Sequence, residues 1–259
     1  MFLLAHDLGT SGNKATLFSD DGRMLAAETV PYPVRFFDQN RAEQDPHDWW
    51  KAVCDSSRRL LSQAKVDPAD IAVVALSGQM MGCTCVDVKG APLRPSIIYC
   101  DQRSDREAAE IRDKVPMEEA YRIVGHRIAA VYGMEKLMWV KRNEPDIYKM
   151  TAKTLCAKDY VNFRLTGNFA TDYSDASGTN AFDINTMQWS DRMIEAAGLD
   201  RSLFPEAHES VHVLGEITSE AAEATGLKAG TPVCVGGGDG SCAGVGVGCI
   251  KPGAAYNYL

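Results

Sequence analysis

The sequence lacks the features that would place the protein in or on a membrane. No run approaches the roughly 18 consecutive apolar residues of a membrane-spanning helix, and the first residues resemble no signal peptide. The chain also lacks an excess of positive charge. Its formal net charge is −8, whereas nonspecific binding to nucleic acid or to anionic membranes needs a cationic face. We therefore expect a cytoplasmic protein with no nucleic-acid partner and no membrane partner.

Cysteine pairs of the C-x-x-C type are missing as well, although the chain contains eight cysteines. Zinc sites usually need such pairs or a matching histidine pair, and the five histidines do not supply one. Most of the cysteines lie in apolar, strand-like segments. They are predicted to be buried, reduced thiols rather than members of a zinc site or a disulfide framework.

The first third of the chain alternates between predicted strands and a helix. With 259 residues, of which 45% are hydrophobic, the chain can bury one large core or two small ones. Asp45 and Pro46 supply an N-cap and a first helical residue before apolar residues at helical spacing. Apolar runs predict strands over residues 2–6, 14–19, 23–30 and 71–76, and a hairpin over 83–88. This order indicates an α/β fold with a helix-covered sheet.

The middle of the chain is rich in predicted helices. Helix start and stop signals place them over residues 104–114, 116–124, 134–143, 158–165, 191–197 and 216–225. The polar surfaces of the helices between residues 101 and 200 indicate an insertion or cap on the sheet core.

The most informative stretch directly follows the first predicted strand. It contains a carboxylate, two glycines, two hydroxyls and a lysine, namely Asp7, Gly9, Gly12, Thr10, Ser11 and Lys14. Glycines have no Cβ, so backbone N–H groups can approach phosphate oxygens, and the hydroxyls add donors. Asp7 can orient Mg²⁺ or its water shell. Together these groups predict a site for a metal-bound polyphosphate.

A glycine-containing hairpin turn explains the same stretch, because residues 15–18 resemble a second strand. The chain has no G-x-x-x-x-G-K-[ST] motif, and this loop leads to a strand, whereas a P-loop leads to a helix. The expected geometry is strand, phosphate turn, strand. From the residues alone, both interpretations stay open.

A second glycine-rich stretch lies at the end of another buried strand, where three glycines precede Asp239. Residues 238–243 match a relaxed dinucleotide-binding fingerprint, but the 16 residues that follow are too few for the rest of a βαβ unit. A carboxylate at such a strand end can accept a hydroxyl proton during phosphoryl transfer. Asp239 can equally cap the helix that follows, so local sequence leaves the two roles open.

Motifs along almost the whole chain resemble the N-terminal domain of FGGY-family carbohydrate kinases, closest to xylulose kinases. In order, they are Asp7-Leu-Gly-Thr-Ser, Ala42-Glu-Gln-Asp-Pro-His-Asp-Trp-Trp50, Ser77-Gly-Gln-Met80, Asp101-Gln-Arg103, Thr171-Asp-Tyr-Ser-Asp-Ala-Ser-Gly-Thr179 and Gly236-Gly-Gly-Asp239. The resemblance implies the actin-like ATPase (ribonuclease H-like) fold, an α/β domain whose mixed sheet has helices on both faces. It also implies an enzyme that uses ATP and Mg²⁺ to phosphorylate a hydroxyl group of a sugar or polyol.

The resemblance assigns roles to individual residues. It implies that Asp239 is the catalytic base and contacts the substrate, and that Asp7 serves the metal ion. The implied cofactor-binding residues are Asp7, Gly9, Thr10, Ser11 and Lys14. The implied sugar pocket contains Gln79, Met80, Met81, Asp101 and Asp239.

The resemblance further implies half of a longer enzyme. Residues 1–249 correspond to the N-terminal domain and 250–259 to the start of a missing C-terminal domain, with a new strand over 252–259. The fragment alone is then expected to be inactive. Its partners would be a sugar or polyol, ATP and the C-terminal domain of the same enzyme, with a homodimer as an open alternative. A free-standing actin-like binding or regulatory module without kinase turnover is the competing hypothesis.

Two departures from the xylulose-kinase pattern concern the implied sugar pocket. Met81 stands where those enzymes usually carry His, and Gly240 where they usually carry Asn. Each departure removes a side chain that can hydrogen-bond, which weakens discrimination for the matching hydroxyl. A related ketose, or a polyol such as erythritol or glycerol, is therefore an alternative to a pentulose.

Several other polar and aromatic residues are predicted to be structural. His6 is expected to point to the sheet face opposite its neighbouring carboxylate. Trp49 and Trp50 are expected to anchor their helix on the core. Asp172 and Asp175 are expected to form a turn that positions the Ser-Gly-Thr segment that follows.

Overall fold

The computed structural model describes residues 1–38 and 40–257. The strands are β1 Phe2–Leu8, β2 Gly12–Ser19, β3 Met24–Pro31, β4 Arg35–Phe37, β5 Arg41–Gln44, β6 Ile71–Gly78, β7 Thr84–Val86, β8 Ser96–Ile97, β9 Lys153–Leu155, β10 Ala170–Asp172, β11 Phe182–Asp183, β12 Gln188–Trp189, β13 Glu206–His208, β14 Val213–Glu216 and β15 Pro232–Gly238. The α-helices are α1 Pro46–Ala64, α2 Asp105–Lys114, α3 Met117–Val124, α4 Gly133–Asn143, α5 Pro145–Met150, α6 Ala157–Thr166, α7 Tyr173–Ser177, α8 Asp191–Ala197, α9 Ser219–Thr225 and α10 Asp239–Gly246. Short 3₁₀ turns cover Pro68–Asp70 and Arg201–Leu203.

A six-stranded mixed sheet in the order β14-β15-β6-β1-β2-β3 forms the centre of the molecule. The first three strands form an antiparallel meander, β6 and β15 add in parallel to β1, and β14 closes the edge antiparallel to β15. Because β1, β6 and β15 run in parallel, their C-terminal ends meet at one edge of the sheet. The two glycine-rich stretches singled out in the sequence lie at this edge.

Buried and exposed side chains alternate along the central strands, so the sheet has one covered face and one open face. In β1, Leu4, His6 and Leu8 are buried, whereas Ala5 and Asp7 point to the other face and are more exposed. Since side chains alternate across a strand, the same division continues along β2 and β6.

Helix α1 covers the inner face and begins where the sequence predicts. The Asp45 side chain accepts from the His47 N–H at 2.9 Å, and Pro46 is the first helical residue. Trp49 is buried and meets Tyr160 of α6 edge to face at 6.4 Å, which confirms it as an anchor. Trp50 is half-buried beneath the Arg164 guanidinium.

Helices lie on both faces of the sheet, as expected. On the α1 side, α6 is tied to β15 by Asn162 Nδ2, which donates to the Val235 carbonyl at 2.7 Å, and α9 is tied to α1 by Arg58. On the other side, α10 places Cys242 beside Gly237. Within residues 1–38 and 40–257, every helix is too short or too polar to traverse a lipid bilayer.

The helix-rich middle forms its own hydrophobic core beside the sheet, which agrees with the predicted cap. Ile111, Met134, Leu137, Phe182 and Trp189 belong to this second cluster of buried side chains, whereas the sheet packs against α1, α6 and α9 in the first. Tyr173 of α7 packs on the second core, and the neighbouring Ser174 accepts from the Gly238 N–H at 2.9 Å, so the edge that carries both glycine-rich stretches also borders the cap.

Some predictions of local structure need correction. The helix predicted over 216–225 begins only at Ser219, because the Thr218 side chain caps it and residues 213–216 pair as β14. No strand forms over residues 252–257, and residues 258–259, also predicted as strand, lie outside the described part of the chain. All eight cysteines are free thiols, but Cys83, Cys85 and Cys156 alone are buried, and the other five are half-buried.

Candidate functional site

An open groove of about 410 Å³ lies on the less covered face of the sheet. Asp7 and Lys14 line it, together with Ala5, Ser77 and Gly237. The groove thus brings together parts of the predicted phosphate turn and of the second glycine-rich strand end.

Asp7 and Lys14 lie directly opposite each other on the antiparallel strands β1 and β2. Residues paired in this way project from the same sheet face with their Cβ atoms about 5 Å apart. Both are exposed, and Ser77 Oγ donates to Asp7 Oδ1 at 3.2 Å. The arrangement offers carboxylate and hydroxyl oxygens, the hard ligands that Mg²⁺ prefers, next to a cation suited to phosphate.

The turn between β1 and β2 is a tight hairpin, in which Gly9 N–H donates to the Gly12 carbonyl at 3.1 Å. A Cβ on Gly12 would lie 2.8 Å from the Val30 carbonyl oxygen, so Gly12 permits close packing against β3 rather than the approach of a phosphate. Gly9 has open space around it, with one atom within 4 Å of such a Cβ. Ser11 is exposed at the tip. The hairpin interpretation of the backbone is confirmed, and phosphate binding by the turn stays a prediction.

A buried network beneath this turn was not predicted from the sequence. Gln44 Nε2 donates to the Thr10 carbonyl at 2.7 Å, and Gln44 Oε1 accepts from Trp49 Nε1 at 3.1 Å and from Gln79 Nε2 at 2.7 Å. Gln79 N–H also donates to the Leu8 carbonyl at 2.9 Å. Gln44 belongs to the motif over 42–50, which was the available signal. Gln79 is thus turned towards the underside of the turn, so its predicted sugar contact stays a prediction that this geometry does not favour.

The strand end before Asp239 is irregular. The pairing of β15 with β6 shifts register between Cys234 and Gly237, which is a β-bulge, a feature common beside active sites. Gly236 has φ +78°, and a Cβ there would lie 1.9 Å from the Leu76 carbonyl oxygen. Only glycine fits this close approach.

Asp239 is the first residue of α10, and the N-cap is Gly238, which has no side chain to make a capping bond. Asp239 is half-buried, and its Oδ1 accepts from the Gly240 N–H at 2.7 Å. The N-cap position therefore belongs to Gly238, while the Asp239 side chain accepts from a first-turn N–H of α10, so the structural role expected as an alternative stays open beside the role of base.

Met80 and Met81 lie next to this strand end. Met80 packs on Gly238, and both methionines approach Gly178, where a Cβ would come within 3.5 Å of each side chain. Met81 adopts a left-handed φ of +61°, and its carbonyl accepts from Lys136 Nζ at 2.8 Å. Burial lowers the pKa of Lys136 to about 8. Met80 therefore lies beside the strand end that precedes Asp239, and the predicted sugar contacts of Met80 and Met81 stay predictions.

Asp101 forms its hydrogen bonds with a different set of residues. Its side chain is fully buried, it accepts from the Ala42 N–H at 2.6 Å, and it binds the Arg103 guanidinium through both oxygens. Arg103 in turn lies 4.8 Å from the centre of the Trp139 ring. These contacts favour a role in anchoring the loop, and the predicted sugar contact of Asp101 remains a prediction.

The side chain of His6 is buried on the sheet face opposite Asp7, as expected. Asn13 Nδ2 donates to its Nδ1 at 3.1 Å, and Ser57 Oγ lies 3.3 Å from its Nε2. Burial lowers the pKa of His6 to about 4, against the opposing effect of the Asn13 hydrogen bond. His6 is therefore neutral at pH 7.

Among the described residues, Cys156, Asp159 and Asp175 are the group whose donor atoms lie close enough to share a metal ion, all within 4.8 Å of one another. The Lys158 ammonium already occupies this space, 2.6 Å from Asp159 and 3.2 Å from Asp175. The geometry therefore favours a buried ion-pair cluster over a metal site, and the exposed Asp7 is the better match to a metal-bound phosphate.

Comparison with known proteins places these features in a family. The model of the FGGY family of carbohydrate kinases, N-terminal domain, matches residues 2–246. Xylulose kinase of Escherichia coli K12 is 36% identical over 98% of this chain and 51% of its own length. Autoinducer-2 kinase of the same organism is 31% identical over 97% of this chain and 48% of its own length. The chain spans about half the length of the curated relatives it matches.

A solved structure extends the comparison to the fold. The crystal structure of xylulose kinase from Rhodospirillum rubrum superposes with a TM-score of 0.93 and 29% identity over 98% of this chain and 52% of that protein. Its agreement with the mixed sheet and the flanking helices described above supports the actin-like ATPase architecture. The chain belongs to the FGGY family of carbohydrate kinases and corresponds to their N-terminal domain.

Proposed function

We propose that this chain is the sugar-binding half of an ATP-dependent carbohydrate kinase and supplies its catalytic base. The observation that carries the proposal is the position of Asp239, half-buried at the end of β15 and next to the loop of Met80. The same end of the sheet carries the Asp7–Lys14 pair. A hydroxyl that acts as nucleophile and a phosphate that is transferred would thus each have charged groups nearby.

Phosphoryl transfer requires the protein mainly to position the reactants and to stabilise charge. Asp239 accepts the proton of the substrate hydroxyl while the oxygen of that hydroxyl attacks the γ-phosphorus of ATP, and ADP leaves. Lys14 and the hydroxyls of Thr10 and Ser11 orient the phosphates, and Gly9 leaves open space for their approach. Asp7 would hold Mg²⁺, because its carboxylate is exposed and the Ser77 hydroxyl places one further hard oxygen beside it. When bound, the ion would neutralise phosphate charge.

The substrate class follows from the predicted sugar pocket. Met81 and Gly240 provide no side-chain hydrogen bond to the substrate. We therefore infer that the enzyme does not select a pentulose strictly, and that a related ketose or a polyol is a substrate. The names of the relatives, xylulose kinase and autoinducer-2 kinase, are compatible with small polyhydroxylated substrates. Strict selectivity for D-xylulose in a substrate panel would contradict this inference.

The proposal includes the second domain as a partner, with residues 1–249 as one domain and 250–259 leading into the next. Val245 in the last turn of α10, and Val247 and Ile250 just after it, are each exposed by 65% or more, an apolar surface suited to a neighbouring domain. A cytoplasmic location supplies ATP and keeps the eight thiols reduced.

The test compares this chain with the two-domain protein, meaning the same chain continued through a second domain as in its relatives. ADP release, measured with a panel of pentuloses, hexuloses and polyols, should be negligible for residues 1–259 and rapid for the two-domain protein with at least one substrate. Turnover by the short chain would overturn the need for a second domain. A folded two-domain protein that binds ATP but phosphorylates no member of the panel would favour a binding or regulatory module.

A further inference from the structure

The N–H group of Gly238 has a side-chain partner outside the central sheet. It donates to Ser174 Oγ at 2.9 Å, across 64 positions of sequence. Gly238 directly precedes Asp239, and it follows a bulged stretch in which two further glycines bring conformational freedom. An external anchor at this point limits the conformations available to the residue that carries the carboxylate.

The direction of this hydrogen bond is set by the other contacts of Ser174. Ser174 Oγ donates its single proton to Asp172 Oδ2 at 2.5 Å, and the Ser174 N–H donates to the same oxygen at 2.8 Å. Because a hydroxyl has one proton, the oxygen of Ser174 is left as an acceptor for the Gly238 N–H. The serine is therefore held in one orientation by Asp172.

Asp172 is in turn held by a buried cation. Lys158 Nζ lies 3.1 Å from Asp172 Oδ1, and both side chains are fully buried. Burial alone would raise the pKa of Asp172, but the charge of Lys158 and the bonds from Ser174 outweigh burial and hold that pKa below its usual range. An ionised Asp172 accepts from Ser174 more strongly than a neutral carboxyl would.

We infer that Ser174 is a positioning residue for the catalytic step. The chain of contacts Lys158–Asp172–Ser174 fixes the backbone of Gly238 and so aims the carboxylate of Asp239 at the substrate hydroxyl. The inference rests on the proposed function, because it assigns Ser174 a role only through Asp239. Loss of geometry near 1 Å at a reacting group can lower a rate by about 10²-fold, so a single backbone anchor has a measurable effect.

The test uses Ser174→Ala and Ser174→Thr in the two-domain protein. Ser174→Ala removes the acceptor for Gly238, whereas Ser174→Thr keeps a hydroxyl on the same carbon. We expect Ser174→Ala to lower kcat about 10- to 100-fold with little change in the KM for ATP, and Ser174→Thr to recover most of the rate. Ser210→Ala is the matched control, because Ser210 Oγ also donates to Asp172 Oδ2, at 3.3 Å, but does not contact the Gly238 N–H. It should change kcat by less than about threefold.

Amide hydrogen exchange of the peptide that contains Gly238 gives a readout independent of turnover. Exchange should accelerate in Ser174→Ala and stay slow in Ser174→Thr and Ser210→Ala. Faster exchange together with a wild-type kcat would overturn the positioning role, and unchanged exchange in Ser174→Ala would overturn the anchor itself. An equal loss of kcat in Ser174→Ala and Ser210→Ala would show that the loss comes from any disturbance of Asp172 and not from the bond to the Gly238 N–H. That result would also refute the inference. The variant Asp239→Asn separates failure of the proposed function from failure of this inference. A wild-type kcat in Asp239→Asn would show that Asp239 is not the base, regardless of the results at Ser174.

Discussion

The side chain of Met80 lies against the backbone of Gly238. A Cβ at position 238 would lie 2.6 Å from both Cγ and Sδ of Met80, inside van der Waals contact. The loop after β6 and the strand end before Asp239 are therefore in direct contact, which couples the predicted sugar-binding loop to the predicted base.

This contact predicts the effect of Gly238→Ala. The φ of −63° at Gly238 suits alanine, so any cost comes from overpacking on Met80, about 1–3 kcal/mol of unfolding free energy. Adding Met80→Ala should recover part of that loss in urea denaturation. Gly240→Ala is the control: its Cβ would lie 4.0 Å from the Met80 sulfur, so we expect no destabilisation. Equal losses at positions 238 and 240 would contradict the packing argument.

Asp239→Asn tests the base. Asparagine keeps the shape of the side chain and loses its proton affinity, so kcat in the two-domain protein should fall by about 10²- to 10⁴-fold. The sugar Kd and the melting temperature should change little, since the amide can still hydrogen-bond a hydroxyl. If kcat, Kd and Tm all match the wild type, Asp239 has only a structural role at the start of α10.

Asp7→Asn and Lys14→Ala test the phosphate side of the groove. Each should lower kcat/KM for Mg²⁺·ATP by roughly two orders of magnitude while circular dichroism stays unchanged, because phosphoryl transfer depends on neutralising phosphate charge. Asp20→Asn is a matched control, an exposed carboxylate at the far end of the same strands. A wild-type rate in a folded Asp7→Asn or Lys14→Ala variant would remove that residue from the site.

The pH dependence of stability tests the buried, neutral state of His6. Its pKa is about 4 in the folded protein and near 6.5 when unfolded, so the unfolded chain binds more protons in this interval and stability falls as the pH decreases. His6 should cost roughly 3 kcal/mol of unfolding free energy between pH 7 and pH 4. In His6→Gln this contribution disappears, so the stability difference between wild type and variant should shrink as the pH decreases.

Glu135 makes the comparison with a variant necessary. Burial raises the pKa of Glu135 to about 7, and the stability linked to this group is lost as the pH rises from about 4.5 to 7, opposite in sign to the effect of His6. Urea denaturation of wild type, His6→Gln and Glu135→Gln at several pH values separates the two effects. Parallel pH curves for wild type and His6→Gln would show that His6 is not buried in its neutral form.

The sequence alone determined the strands of the meander, the start of α1 and the family. Alternation of buried and exposed residues is local, and Asp45 with Pro46 is a local helix signal, so no distant contact was needed for either. The short strands β4, β5 and β8 were not foreseen, because two to four residues carry too little periodicity.

The tertiary structure decided what the polar residues around the site do. Gln44 contacts Gln79 across 35 positions and Ser174 contacts Gly238 across 64, and such partners depend on which strand ends meet at one edge of the sheet. Gly12 resembles a phosphate-binding glycine in the sequence, but the nearby Val30 carbonyl gives it a packing role. Residue type determines which hydrogen bonds a side chain can make, and only the assembled sheet determines which partner lies within reach.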